Sequence, residues 1–212
     1  MEILNQISDA LQTGDEVKTA ELTKSAITAK IAPKDILDCG LIAGMNAIGE
    51  KFKNHEIFLP DVLLAARAMY AGMDLLKPLL IKDGIPTIGK VVIGSVHGDL
   101  HDIGKNLVGI MLKGSGFDVI DLGNDVPPEK FVETAVANGA TVIGMSALLT
   151  TTMTVMKKVV EILDEKGLKG RIKTIVGGAP LSADYAREIG ADAYGYDGAN
   201  AVEEVKKLVA AA

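Results

Sequence analysis

After Lys90 the sequence changes period, and no other feature constrains the fold as much. Short aliphatic and β-branched runs, "KVVIGSV", "DVIDLG", "TVIGMSA", "KTIVGG" and "ADAYGY", alternate with stretches of helical spacing. Those helices are expected to begin near His101, Pro128, Thr151, Ser182 and Ala199. Nearly continuous apolar strands are buried on both faces, the condition of a parallel sheet covered by helices. Right-handed crossovers then leave an open, doubly wound α/β sheet of five parallel strands as the simplest arrangement. In such sheets ligands bind beyond the carboxyl ends of the strands. The segments there are "HGDLHDIG", "GNDVPP", "SALLT", "GGAP" and "GYDG", all small, polar or glycine-rich.

The first eighty residues keep a helical rhythm throughout. "ILNQISDALQTGD", "DEVKTAELTKSAITAKI", "PKDILDCGLIAGMNAIGEKF" and "LPDVLLAARAMYAGMDLLKPLL" predict four helices with short connections. Pro33 and Pro60 stand where a first helical turn accepts proline. The expectation is a four-helix bundle over residues 1–88, followed by the sheet domain over 89–212. The Gly- and Pro-punctuated "IKDGIPTIGK" (Ile81–Lys90) is the expected linker and hinge between them.

Composition excludes several classes. Hydrophobic residues make up 48% of the 212 residues but aromatics only 4%, so the core must be aliphatic. A net charge of −6 and no Lys/Arg cluster argue against nucleic-acid binding. The apolar runs are too short to span a bilayer, and no basic segment leads into an apolar one at the N-terminus, so neither a membrane span nor a signal peptide is expected. A single cysteine, Cys39, rules out an internal disulfide and suits a cytoplasmic location.

The chemistry must lie at the strand ends. "GSVHGDLHDIG" lacks the G-x-G-x-x-G of a dinucleotide site, and no Walker loop is present. The paired acids and the lysine of a phosphoacceptor receiver are not in place. His97, Asp99 and His101 have no further ligand cluster to complete a zinc site, and His55 lies in the other half. "GMSAL" is not a nucleophile elbow around Ser146. What remains is Asp99-x-His101 at a strand end beside many glycines. Bare backbone suits a large ligand approaching closely, and a histidine held by a carboxylate suits a metal.

"DLHDIG" (Asp99–Gly104), "SAL" (Ser146–Leu148) and "GG" (Gly177–Gly178) resemble the D-x-H-x-x-G, S-x-L, G-G signature of cobalamin-binding proteins. Between Gly104 and Ser146 lie 41 residues, and between Leu148 and Gly177 lie 28, spacings that suit that family. "EKFKNHEIFLPDVLLAARAM" (Glu50–Met69) is similar to its helical cap, so the resemblance covers essentially the whole chain. The small corrinoid proteins of methylamine, methanol, betaine and methoxyaromatic methyltransferase systems are the most similar type, and the cobalamin module of methionine synthase is related. "LLTTTM" and "GGAPLS" lean towards the methylamine and betaine type.

The resemblance implies a flavodoxin-like cobalamin-binding domain under a helical cap. It implies that His101 is the lower axial ligand of cobalt, that Asp99 bonds His101, and that Ser146 extends this relay. Gly177, Gly178 and Ala179 would line a slot for the displaced nucleotide tail. Gly98, Asp102, Ile103, Gly104, Leu148 and Thr150 would border the corrin and the tail, and Phe52, Leu59 and Val62 would cover the upper face. The implied function is a methyl carrier, not an enzyme on its own. Co(I) accepts a methyl group through a substrate-specific methyltransferase. Methyl-Co(III) then yields it to a second methyltransferase acting on a thiol or tetrahydrofolate. A reductive activase is a further implied partner. The alternative in the same family is a cobalamin-responsive regulator.

Overall fold

The computed structural model describes residues 2–82 and 87–210. The chain divides into two compact units, Met1–Thr87 with Gly114–Gly116 and Ile88–Lys113 with Phe117–Ala212. Part of the expected linker, residues 83–86, lies outside the described residues.

The first unit is all helical. α1 (Glu2–Gln12) and α2 (Glu16–Thr28) are joined by a tight turn. Asp15 caps α2 by accepting the Lys18 N–H at 2.9 Å. α3 (Pro33–Asp35) runs through a π-helical stretch, Ile36–Ile42, into α4 (Ala43–Lys53), and α5 (Leu59–Lys82) closes the bundle. The helix α5 continues through Ile81 and Lys82, two residues into the segment expected as linker. Its interior is aliphatic, with Ile7, Leu11, Ile36, Leu41, Ile48, Met69 and Leu76 nearly or wholly inaccessible.

The second unit is a five-stranded parallel sheet: β1 (Lys90–Ser95), β2 (Asp118–Asp121), β3 (Val142–Ser146), β4 (Lys173–Gly177) and β5 (Ala193–Gly195). The order is β2-β1-β3-β4-β5, the doubly wound topology read from the alternating pattern. Between the strands run α6 (Ile103–Gly114), α7 (Pro128–Asn138), α8 (Val155–Glu165) and α9 (Ala183–Glu188), and α10 (Gly198–Ala210) follows β5. Val92, Ile143 and Val176 of the three central strands are fully buried. Glycine in β1 has a packing reason: a Cβ on Gly94 would stand 2.9 Å from the Phe131 ring of α7. That ring is wholly buried, a contribution of about 2–3 kcal/mol.

Two helices start later than the periodicity suggests. α6 begins at Ile103 and α8 at Val155, not near His101 and Thr151. In both places the chain first makes an irregular loop whose backbone groups are used elsewhere, and those loops build the site.

Candidate functional site

In a β2-β1-β3 order the chain leaves β1 towards one edge and returns to β3 on the other side. The crevice that results lies at the carboxyl ends of β1 and β3. The loops Val96–Asp102 and Ala147–Thr154 meet there, and Asp99 joins them. Asp99 is fully buried. Its Oδ1 accepts the His101 backbone N–H at 3.1 Å and faces His101 Nδ1 at 2.8 Å. Its Oδ2 accepts the Leu148 N–H at 2.7 Å, the Leu149 N–H at 3.2 Å and the Thr152 hydroxyl at 2.7 Å.

A buried carboxylate is tolerated only when its lone pairs are filled, and here five donors fill them. Burial alone would raise the Asp99 carboxyl. The bonds from Thr152, Leu148 and His101 outweigh it and hold the group well below the usual carboxylate range. An ionised carboxylate only accepts, so the imidazole proton sits on His101 Nδ1. Nε2 then carries the free lone pair. It has no hydrogen-bond partner among the described residues, and the His101 side chain is 51% exposed. The Ser95 hydroxyl, buried at the end of β1, donates to the His101 carbonyl at 2.6 Å and fixes the His101 backbone.

Neighbouring contacts stiffen this arrangement. Lys105, almost fully buried in the first turns of α6, places Nζ 2.6 Å from both oxygens of Asp121 and from Asn106 Oδ1. The Tyr185 hydroxyl donates to the Met153 carbonyl at 3.0 Å and anchors the end of the β3–α8 loop.

Of the expected relay, Asp99 and His101 are in direct contact and Ser146 is not bonded to Asp99. Ser146 ends β3, half-buried, and makes no side-chain hydrogen bond to Asp99 among the described residues. The hydroxyl on Asp99 is that of Thr152, 8% exposed. The reason is the loop: Leu148 and Leu149 turn their N–H groups onto Oδ2, and one further turn brings Thr152, not Ser146, over the same oxygen. Thr150, the polar contact expected from the sequence, is exposed.

The remaining expected residues are placed as follows. Gly98 and Gly104 are exposed, and no atom lies within 4 Å of where a Gly104 Cβ would stand. Asp102 is half-buried, while Ile103 and Leu148 are exposed. Gly177 and Gly178 are half-buried and Ala179 is exposed. The two glycines are required by the protein's own backbone. A Cβ on Gly177 would come within 2.9 Å of the Gly195 carbonyl oxygen, and one on Gly178, whose φ is +133°, within 1.9 Å of the Ala147 oxygen. In the helical unit Phe52 and Leu59 are half-buried and Val62 is fully buried.

The donor set decides what kind of metal fits. Among the described residues no group of three or more His, Cys, Asp or Glu side chains could hold an ion. His101 can therefore supply one ligand to a metal whose other positions are filled by something else. The apolar residues Leu100 (70% exposed), Ile103 (73%) and Tyr196 (61%) follow β1 and β5 at this same end of the sheet. A flat macrocycle that coordinates its own metal and covers apolar surface meets both conditions.

Comparison with known proteins agrees. Residues 89–206 match a B12 binding domain, and residues 3–77 match a second family model of the same description. The chain belongs to the corrinoid proteins of methyltransferase systems. It is 43% identical to trimethylamine corrinoid protein 1 of Methanosarcina mazei, over 97% of this chain and 96% of that one. It is 42% identical to dimethylamine corrinoid protein 3 of Methanosarcina acetivorans, over 98% and 97%. The crystal structure of the methanol:cobalamin methyltransferase complex from Methanosarcina barkeri superposes with a TM-score of 0.88 at 33% identity, covering 99% of this chain and 80% of that chain. The cofactor of this corrinoid protein is a cobalamin. Among the described residues no helix is long and apolar enough to cross a membrane.

Proposed function

We propose that this corrinoid protein is a methyl carrier of the methylamine type. One methyltransferase, specific for the donor, loads the methyl group. A second passes it to a thiol or tetrahydrofolate, and a reductive activase restores the carrier. The observation that carries the reading is His101, whose Nδ1 proton is held by a buried carboxylate while Nε2 faces outward with its lone pair. The methylamine class is supported by identities of 43% and 42% to trimethylamine and dimethylamine corrinoid proteins, and, among superposed structures, by 37% to a monomethylamine corrinoid protein against 33% to the methanol complex.

The cofactor, when bound, supplies a cobalt that takes up and gives up the methyl group. The chain's residues orient and protect it. His101 would hold the cobalt through Nε2. Asp99 keeps the proton on Nδ1 and makes the imidazole a better donor, and Thr152 holds Asp99 in its ionised state. Gly98, Asp102, Ile103, Gly104, Leu148 and Thr150 would border the macrocycle, and Gly177, Gly178 and Ala179 would lie along the tail. Phe52, Leu59 and Val62 would belong to a helical cap that excludes water from the cofactor.

The test is reconstitution with cobalamin, chemical reduction, and mixing with trimethylamine, dimethylamine, monomethylamine or methanol and the matching methyltransferase. Methylation is followed in the visible spectrum. Methylation by an amine is the expected result. Methylation by methanol alone rejects the substrate class, and none from any donor rejects the carrier role.

A further inference from the structure

The loop that carries Asp99 and His101 is gripped by a second segment, Gly123–Val126 after β2. Ser95 N–H donates to the Gly123 carbonyl at 2.9 Å, and Val126 N–H donates to the Ser95 carbonyl at 3.0 Å. Val96 and Val126 form a parallel bridge. Asn124 Nδ2 donates to the Leu100 carbonyl at 3.3 Å.

Asp125 makes the densest set of these contacts. Its backbone N–H donates to the Asp99 carbonyl at 3.0 Å. Its Oδ1 accepts the Gly98 N–H at 2.7 Å and lies 2.7 Å from His97 Nδ1. Asp125 also has φ +54°, the left-handed region, although it is not glycine. Its side chain is 50% exposed, so burial does not hold it there. Aspartate is among the few non-glycine residues that adopt this conformation, and here it turns both the backbone N–H and the carboxylate onto the loop of Asp99 and His101.

Gly98 is the flexible point of that loop. It is exposed, has φ +83° and carries no side chain of its own to restrict it. The next residue is Asp99. Asp125 therefore holds the chain on either side of Asp99, the His97–Gly98 peptide through its N–H and the Asp99–Leu100 peptide through its carbonyl, and its loss frees both.

We infer that Asp125 is a positioning residue for His101: by holding the Gly98 N–H and the Asp99 carbonyl it sets the direction in which His101 presents Nε2. His97 braces the same carboxylate. The inference rests on the reading of His101 as the axial ligand, but its first readout needs no cofactor.

Three variants test it. Asp125→Asn keeps an acceptor oxygen and tolerates the left-handed backbone. Asp125→Gly removes the side chain and suits that backbone still better. His97→Ala removes one donor from the carboxylate. In the 15N-labelled apoprotein, amide exchange at Gly98 is expected to rise about tenfold in Asp125→Gly, the equivalent of one hydrogen bond. It is expected to rise less in His97→Ala and to stay near wild type in Asp125→Asn. In protein loaded with cobalamin and reduced to Co(II), spin resonance is expected to show a smaller fraction with axial-nitrogen splitting in Asp125→Gly. Cobalamin binding should weaken about threefold to tenfold, less than for a direct partner of the ligand. Wild-type exchange and wild-type splitting in Asp125→Gly overturn the role. Should that variant not fold, unchanged Gly98 exchange in His97→Ala overturns it. A wild-type protein without axial-nitrogen splitting overturns the His101 assignment instead, and the apoprotein exchange still decides the case of Asp125.

Discussion

Replacing Thr152 with valine removes one hydroxyl from a site whose surroundings are otherwise unchanged in volume. Thr152 is 8% exposed, and its hydroxyl lies 2.7 Å from Asp99 Oδ2 and 3.0 Å from the Leu149 carbonyl. Hydrogen bonds to charged groups contribute roughly 1.5–3 kcal/mol, and a buried carboxylate has no water to replace the lost donor. Thr152→Val should therefore destabilise the apoprotein at pH 7 by about 2 kcal/mol, read by urea unfolding followed by circular dichroism.

The pH dependence separates this from ordinary packing loss. Asp99 has a depressed folded-state value, so its contribution is fully present above the unfolded carboxylate value of about 4 and is lost as pH falls below it. The Thr152→Val deficit should be constant from pH 7 down through about pH 4, where both proteins lose the contribution alike, and shrink only at lower pH as Asp99 protonates in the folded variant before it does in wild type. Thr152→Ser should recover most of the difference. A deficit under about 0.5 kcal/mol at pH 7, or one that grows as the pH falls, refutes the reasoning.

The other expectations concern the same strand ends. Ser146→Ala should change apoprotein stability by less than about 0.5 kcal/mol, since no side-chain bond to Asp99 is lost; a deficit matching Thr152→Val would return Ser146 to the relay. His101→Ala should abolish the axial-nitrogen splitting of bound cobalamin, and an unchanged spectrum would remove His101 as ligand. Asp99→Asn should weaken cobalamin binding about 10–100-fold, measured by equilibrium dialysis, because an amide cannot accept from all five donors; near-wild-type affinity would contradict this. Gly178→Ala should unfold the apoprotein by several kcal/mol or prevent its folding, since the new Cβ would stand 1.9 Å from the Ala147 oxygen; a native-like melting curve would show that β4 can shift.

The alternation after Lys90 made the sheet legible because both of its signals are local. Aliphatic runs such as Val91–Ile93 and Val142–Ile143 are buried from both faces, so they lack the polar alternation of a half-exposed strand. The strand order then followed from general rules of connection. The helix starts at Ile103 and Val155 were less legible, because the residues just before them have helical composition. What keeps Leu148 and Leu149 out of a helix is a carboxylate about fifty residues earlier in the chain, which takes their N–H groups. Propensity carries no trace of a partner at that distance.

The same limit explains the site. Asp99 and His101 stand two residues apart, so a short motif can record their bond. Thr152 reaches Asp99 across 53 residues, and in "LLTTTM" three threonines are alike as letters. Only the turn from Leu149 selects the third, through the Thr152 N–H donated back to the Leu149 carbonyl at 3.2 Å. The glycine pair Gly177–Gly178 misleads in the opposite direction. Its motif was visible, yet the close approach it permits is first of all that of β4 to the Gly195 and Ala147 carbonyls. A glycine motif at a strand end reports that something comes near the backbone. Whether that neighbour is a ligand or the chain itself is a property of the packed sheet, so a bulky substitution at these glycines probes folding before it probes any cofactor. The slot is better tested from Ala179, which is exposed and outside the constrained pair.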